Sequence, residues 1–428
     1  MDMLILLNNW FSWFSRVKVA QNYLFQGGFI LLLSSCVYFI VSCNNIEIEQ
    51  NEPFIGNPGG HEGPPATAGP PMDPESWHKV PGDVLGEGEF WGYRVNARTT
   101  FKIPGGLGLL YSSHAGPTTS EWRANQIEQG LTTGPSGSLA YTHDLITWHD
   151  YPGNPVLNEV KRSWQTPARV HTRDMFYDPK NNRWVAYYSN IPDHDRPETS
   201  FPGIRVAGLA YSKDLVNWDY SDGPILTIED YAAMVPERIE ATEEELNEYG
   251  RLYPNWAMYH NGRYYLVISG TETVGRRAED ALEDAGVVRS LSTGLVVVVG
   301  DSPEGPFEHL DVAEDEIMPG AKPVYWNGRW YTVFRGTWDD QPGFGLAWSD
   351  ELFGTYRRNP DNPIITIDDN QRTNPILFHY DGTWGILFSR AGQASVGRMQ
   401  PLRLAIANIN PSFLMLDKEV GEKAGLKK

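Results

Sequence analysis

The chain repeats one phrase at irregular intervals: a strand of small residues, a Ser/Thr and Asp turn, then an aromatic. It reads Gly137-Ser-Leu-Ala-Tyr-Thr-His-Asp144-Leu-Ile-Thr-Trp148, then Gly208-Leu-Ala-Tyr-Ser-Lys-Asp214-Leu-Val-Asn-Trp218, then Gly345-Leu-Ala-Trp-Ser-Asp350-Glu-Leu-Phe-Gly-Thr-Tyr356. A looser copy runs from Gly294 through Asp301 to Phe307, and Leu404-Ala-Ile-Ala407 reads as the remnant of a fifth. A phrase repeated at this scale marks a repeat architecture, in which each copy is one supersecondary unit stacked on its neighbours.

Each copy follows a second recurring phrase, a strand rich in aromatics. These strands are Leu107–Ser112, Trp184–Ser189, Tyr264–Ser269, Trp330–Arg335 and Trp384–Ser389, which count five units. Asn261-Gly262, Asn327-Gly328 and Asp381-Gly382 precede three of them and are tight-hairpin signals, because both central residues must accept positive φ. Each unit is therefore expected to be a four-stranded antiparallel sheet, and five such sheets around an axis make an all-β, five-bladed β-propeller. One stretch has a helical start: Ala241–Tyr249, with Thr242 and Glu245 spaced as a capping box.

The sequence divides into an apolar leader (1–43), a Pro/Gly-rich spacer (44–74), the propeller (75–415) and a short tail (416–428). Gly28–Ser42 is shorter than the roughly 20 residues of a membrane span and reads as a signal peptide. It ends Ile40-Val41-Ser42-Cys43, which resembles the lipobox of bacterial lipoproteins; Leu33-Ser34-Ser35-Cys36 is a competing site. Lipidation at Cys43 would hold the folded part at a bacterial envelope, with no other membrane contact. The two cysteines both lie in the leader, so the propeller has neither disulfide nor thiolate chemistry. A net charge of -19 without any basic run argues against nucleic acid.

In a propeller, function lives at the axis, where each innermost strand presents its start to a shared funnel. In the second unit that strand is His171-Thr-Arg-Asp174-Met-Phe-Tyr-Asp178, which offers an arginine beside a carboxylate. Arg173-Asp174 before an apolar strand, the Trp184 strand and the Gly-Leu-Ala-x-Ser-x-Asp-Leu-x-x-Trp phrase together resemble the five-bladed glycosidases of family 43 and its relatives in families 32, 68 and 117, over roughly residues 86 to 410. The resemblance implies glycosidic hydrolysis of a plant or algal carbohydrate by carboxylates on neighbouring blades. One must protonate the leaving oxygen and the other must be ionised. Asp174 matches the family's second-blade Asp, which tunes the acid or supports the transition state.

The departures are as informative. Aligning the first inner strand on the second pairs Arg98-Thr99 with Arg173-Asp174, so threonine stands where the family places its first-blade Asp. Asp83, Glu87 and Glu89 lie upstream, and the family 32 hallmarks of the first and third strands are absent. Replacement acids are Glu237 and Glu240 before the third unit and Glu316 before the fourth. Arg98, Trp164, His171, Arg173, Asn255, Trp256 and Lys322 are candidate substrate contacts, the indoles because a sugar's apolar face stacks on an aromatic ring. Two alternatives stay open: a propeller that binds glycan without cleaving it, and a family 130-like phosphorylase, which needs Arg98, Arg173 and Lys322 to converge. No cofactor is expected. The resemblance admits an axial calcium near His379 or Asp381, although no dense oxygen-ligand spacing is present.

Overall fold

The three anticipated hairpins form as the residues require. Asn261 and Gly262 sit at φ 48° and 84°, Asn327 and Gly328 at 48° and 81°, and Asp381 and Gly382 at 45° and 81°. These are the left-handed pairs whose twist suits a tight antiparallel turn. The structure is a computed structural model that describes residues 69–80, 84–85, 95–113, 125, 128–129, 136–158, 171–190, 206–243, 245–246, 250–271, 293–312, 321–339, 341–367, 375–389 and 402–407.

Among those residues the strands fall into five antiparallel sheets. The first strand, β1 (His78–Lys79), belongs to the last blade. Blade one is β2 (Val95–Ile103), β3 (Gly106–Ser113), β4 (Ser136–Thr142) and β5 (His149–Asp150). Blade two is β6 (His171–Asp178), β7 (Arg183–Asn190) and β8 (Val206–Ser212), flanked by β9 (Asp219–Tyr220) and β10 (Leu226–Thr227). Blade three is β11 (Leu252–His260), β12 (Arg263–Thr271), β13 (Thr293–Gly300) and β14 (Glu308–Leu310). Blade four is β15 (Val324–Trp326), β16 (Arg329–Trp338) and β17 (Gln341–Ser349), flanked by β18 (Arg357–Arg358) and β19 (Ile365–Thr366). Blade five is β20 (Ile376–Tyr380), β21 (Thr383–Ser389) and β22 (Leu402–Ala407), completed by β1, with His78 paired to Ile406 and Lys79 to Ala405. The ring is thus closed by an N-terminal strand, and the chain is docked even earlier: Pro71 and Met72 carbonyls accept from Trp77 Nε1 and Asn359 Nδ2, inside the stretch read as spacer.

Five buried apolar clusters occupy the five interfaces between neighbouring blades. Strand β7 shows how one strand serves two of them: Val185 and Tyr187 face blade three, while Trp184, Ala186 and Tyr188 face blade one. A period of two with both faces covered explains why the second strands read as unbroken apolar runs. Each large side chain so buried contributes roughly 1.5–3 kcal/mol.

The repeated phrase is a structural device. Asp144 Oδ1 accepts from the backbone of Ile146 at 2.9 Å and Thr147 at 2.6 Å, Leu145 takes φ 66° and is buried, and Trp148 Nε1 donates to Leu145 O at 3.0 Å. Asp214, Leu215 and Trp218 repeat it, and Tyr356 Oη donates to Leu352 O in the third copy. Partial burial would raise the Asp144 pKa, but the amides of Thr147 and Ile146 outweigh it and hold it below 3.8. A lowered folded value means this stabilisation is present above pH 3.8 and lost as pH falls through the folded pKa. Asp144→Ala is expected to cost about 1–2 kcal/mol at neutral pH, and the deficit should shrink in melting curves taken below pH 3.8.

The Thr242–Glu245 capping box forms, with Glu245 accepting from Thr242 N at 2.8 Å and Thr242 Oγ1 from Glu245 N at 3.2 Å. The α-helix among the described residues, α1 (Ile228–Met234), is capped the same way by Thr227 and Asp230 and buries Ile228 and Tyr231 against blades two and three.

Candidate functional site

Three innermost strands carry the same irregularity at the same place. In β2 the register skips Arg98 between Ala97 and Thr99, in β6 it skips Arg173 between Thr172 and Asp174, and in β11 it skips Asn255 between Pro254 and Trp256. A bulge inserts one unpaired residue, bends the strand and re-aims that side chain. Neighbouring inner strands pack directly on one another, β2 on β6 and β6 on β11. The three re-aimed residues therefore belong to one face of three consecutive blades.

Two of them, Arg98 and Arg173, meet at His171, and Arg173 in turn reaches Asn255. Arg98 Nη2 stands 2.8 Å from His171 Nε2, and Arg98 Nε donates to Ser112 Oγ at 3.0 Å. Arg173 Nη1 lies 3.5 Å from His171 Nδ1, its Nε donates to Pro254 O at 3.1 Å, and its Nη2 reaches Asn255 Oδ1 at 3.4 Å. The same guanidinium lies 4.7 Å over the Tyr253 ring. Ser269 Oγ donates to Asn255 Oδ1 at 3.5 Å. Ser112 and Ser269 were not singled out in the sequence. The signal was there: a serine ends four of the five aromatic strands.

The residue after each bulge points elsewhere, and all three are buried: Thr99 at 6% exposure, Asp174 at 0% and Trp256 at 2%. Asp174 Oδ2 accepts from Ala257 N of blade three at 2.7 Å and from Lys322 Nζ at 3.1 Å; Lys322 also donates to Met175 O at 3.1 Å. One carboxylate thus ties blades two and three to the segment that leads into blade four. Burial raises its pKa, and the Lys322 charge and the Ala257 amide pull it back only in part. Arg173 and Asp174, read from the sequence as a pair in the funnel, are therefore separated: the bulge turns the arginine toward His171 and buries the acid beneath.

Other expectations resolve differently. Trp256 cannot stack on a sugar, because it lies parallel to Phe353 at 6.0 Å inside the interface of blades three and four. Glu237, in the 3-10 turn Pro236–Arg238, and Glu240 are exposed, and among the described residues no hydrogen bond or ion pair joins them to the cluster. Glu316, Trp164, Cys43, Asp83, Glu87 and Glu89 lie outside the described residues. His379 packs against Trp326 and Trp384, with ring centroids at 3.9 and 4.7 Å, where burial lowers its pKa to about 4, so it is packed in the core between blades four and five. Among the described residues no group of three His, Cys, Asp or Glu side chains is placed to hold a metal ion.

No protein-family model and no curated protein matches this chain. Solved structures resemble it in chain path. The catalytic domain of a family 62 alpha-L-arabinofuranosidase from Coprinopsis cinerea aligns over 78% of this chain and 96% of its own, at 11% identity and a TM-score of 0.44. A family 117 glycoside hydrolase of the marine bacterium Zobellia galactanivorans aligns over 78% and 90%, at 11% identity and 0.43. An alpha-L-arabinofuranosidase from Clostridium thermocellum aligns over 69% and 82%, at 15% identity and 0.39. The chemistry of the site rests on its own residues.

Proposed function

We propose that this propeller is a glycoside hydrolase acting in its funnel, with Asp174 as a positioning residue that holds the site together. One observation carries the reading: matching bulges on three adjacent inner strands re-aim Arg98, Arg173 and Asn255, bringing both arginines to His171 and Arg173 to Asn255, beside a carboxylate shared between blades. Planar donors and acceptors held on rigid strands suit sugar hydroxyls, and a site built on strands keeps its geometry better than one built on loops. A fully buried carboxylate with a raised pKa neither attacks carbon nor activates water. Hydrolysis needs two further roles, an acid for the leaving oxygen and a base or nucleophile. Glu237, Glu240 and Glu316 are the candidates for these, together with Asp83, Glu87 and Glu89 upstream. From the sequence, we place the enzyme on a lipid anchor at Cys43, acting on plant or algal carbohydrate at a bacterial envelope.

A second reading, glycan binding without cleavage, is favoured by Thr99. It occupies the blade-one position equivalent to Asp174, and a hydroxyl cannot serve there as a base.

The test is sugar release from a panel of aryl glycosides and plant and algal oligosaccharides by the full chain and by Asp174→Asn. Hydrolysis by the wild type with a drop of about a hundredfold in kcat/KM for the variant, at retained fold, supports a positioning role, since small misplacements cost that much. No release from any substrate, with oligosaccharides still raising the melting temperature, transfers the assignment to the binding reading.

A further inference from the structure

Strand β16 outruns its counterparts at the funnel end. Arg335 holds in β16 the place of Ser189 in β7, which pairs with His171. Strands β3, β7, β12 and β21 stop at Ser113, Asn190, Thr271 and Ser389, whereas β16 runs on from Arg335 to Trp338, about 10 Å past that level. There Trp338 pairs with Gln341, and Asp339 and Asp340 alone turn the chain back, with Asp339 at φ 48°. Alternation fixes which way the extension faces. Trp330 and Phe334 join the apolar interface of blades three and four, as do Tyr265 and Val267 of β12. Gly336 and Trp338 continue that side of β16, and Ser269, which donates to Asn255, continues the facing side of β12. The indole is held in place there. A Cβ on Gly336 would come within 2.6 Å of Trp338 Cη2, so the ring fills the space this glycine leaves. Phe334 backs it at a centroid distance of 5.9 Å and is itself covered by Arg358 at 5.6 Å. Trp338 still keeps part of its surface exposed, and among the described residues no hydrogen bond takes up its indole N–H. A fixed, partly bare indole suits a sugar ring, whose C–H face lies on the aromatic surface while a hydroxyl meets the N–H.

We infer that Trp338, seated on Gly336 and Phe334 at the rim of the funnel, is a sugar-stacking subsite for a distal ring of the same carbohydrate chain that enters beside His171 and Asn255. The inference rests on the glycoside hydrolase reading and deepens it: the substrate is an oligosaccharide of several rings, and Trp338 selects for its length. It is read from the dependence on chain length, so it succeeds or fails separately from cleavage.

The experiment is calorimetric titration of the full chain with xylo-oligosaccharides and agaro-oligosaccharides, each graded from disaccharide to hexasaccharide. Where a probe is cleaved, kcat/KM replaces affinity, and sugar release from aryl glycosides is followed in parallel. In at least one series the affinity is expected to rise about tenfold, or about 1.4 kcal/mol, from the disaccharide to the longest member, the worth of one aromatic contact. Trp338→Ala should lose that rise and leave the disaccharide unaffected. Gly336→Ala, whose Cβ pushes the indole off its seat, should lose it as well, and Trp338→Phe should keep part of it. No rise with length in either series overturns the subsite, as does a rise that survives Trp338→Ala, or an equal loss for the disaccharide, which makes the residue a structural one. Release from aryl glycosides without any length effect keeps the hydrolase reading and removes the subsite alone. The wild-type length series stands even where a variant misfolds, which circular dichroism reports.

Discussion

Asp174→Ala is expected to lower stability by about 3–5 kcal/mol, because it leaves Lys322 facing a buried position that no longer carries a charge. The carboxylate is 0% exposed and holds the Ala257 amide at 2.7 Å as well as the Lys322 ammonium at 3.1 Å. Lys322 keeps Met175 O and its side chain is 20% exposed, which favours the lower end of that range. The double variant Asp174→Leu with Lys322→Met should recover much of the loss, since replacing a buried pair by apolar groups is often neutral. Urea denaturation of the four corners of this cycle measures the coupling; a value below about 0.5 kcal/mol would mean the pair does not clasp the blades. The pH dependence has its own sign. Burial raises the folded pKa above 3.8, so the contribution of this carboxyl is full below pH 3.8 and declines as pH climbs through the raised value. Wild type measured against Asp174→Asn should therefore lose ground with rising pH, the reverse of Asp144.

Trp256→Ala is expected to cost about 3–5 kcal/mol, the range for emptying an indole-sized space in a packed core. Its ring lies against Phe353 and among Met258, Val267, Val297, Trp330 and Leu352, which together join blades three and four. Trp256→Phe should cost less, because a second ring can still stack on Phe353. Ligand affinity of whatever protein remains folded should be unchanged in both variants. A weakened affinity at preserved stability would instead restore the tryptophan as a sugar platform.

The bulges explain why the same alignment read one residue well and its neighbour badly. Pairing Arg98 with Arg173 needed only the similarity of two strands, and both residues do occupy equivalent positions. Alternation along a strand predicts which side chains share a face, but an inserted residue resets the count, and nothing in Arg173-Asp174 or Asn255-Trp256 announces the insertion. Hence Asp174 and Trp256 were expected in the funnel and are found beneath it. Helix α1 was missed for a related reason. Thr227 and Asp230 have capping-box spacing, but the apolar Ile225, Leu226 and Ile228 around Thr227 continue the pattern of a strand.

What this chain determined by itself are the features closed within a few residues: Asn-Gly and Asp-Gly turns that accept positive φ, the Asp144 and Asp214 turns whose carboxylates bind amides two and three positions on, and the period-two apolar strands. With the apolar strand repeated five times, those local preferences leave a propeller as the way to cover both faces of every sheet. The tertiary structure decided which distant residues meet. His78 closes the ring on Ile406, Asp174 finds Lys322 across 148 positions of sequence, and Arg98 finds His171 across 73. Those contacts are set by how blades stack around an axis, a geometry that no short stretch of residues contains.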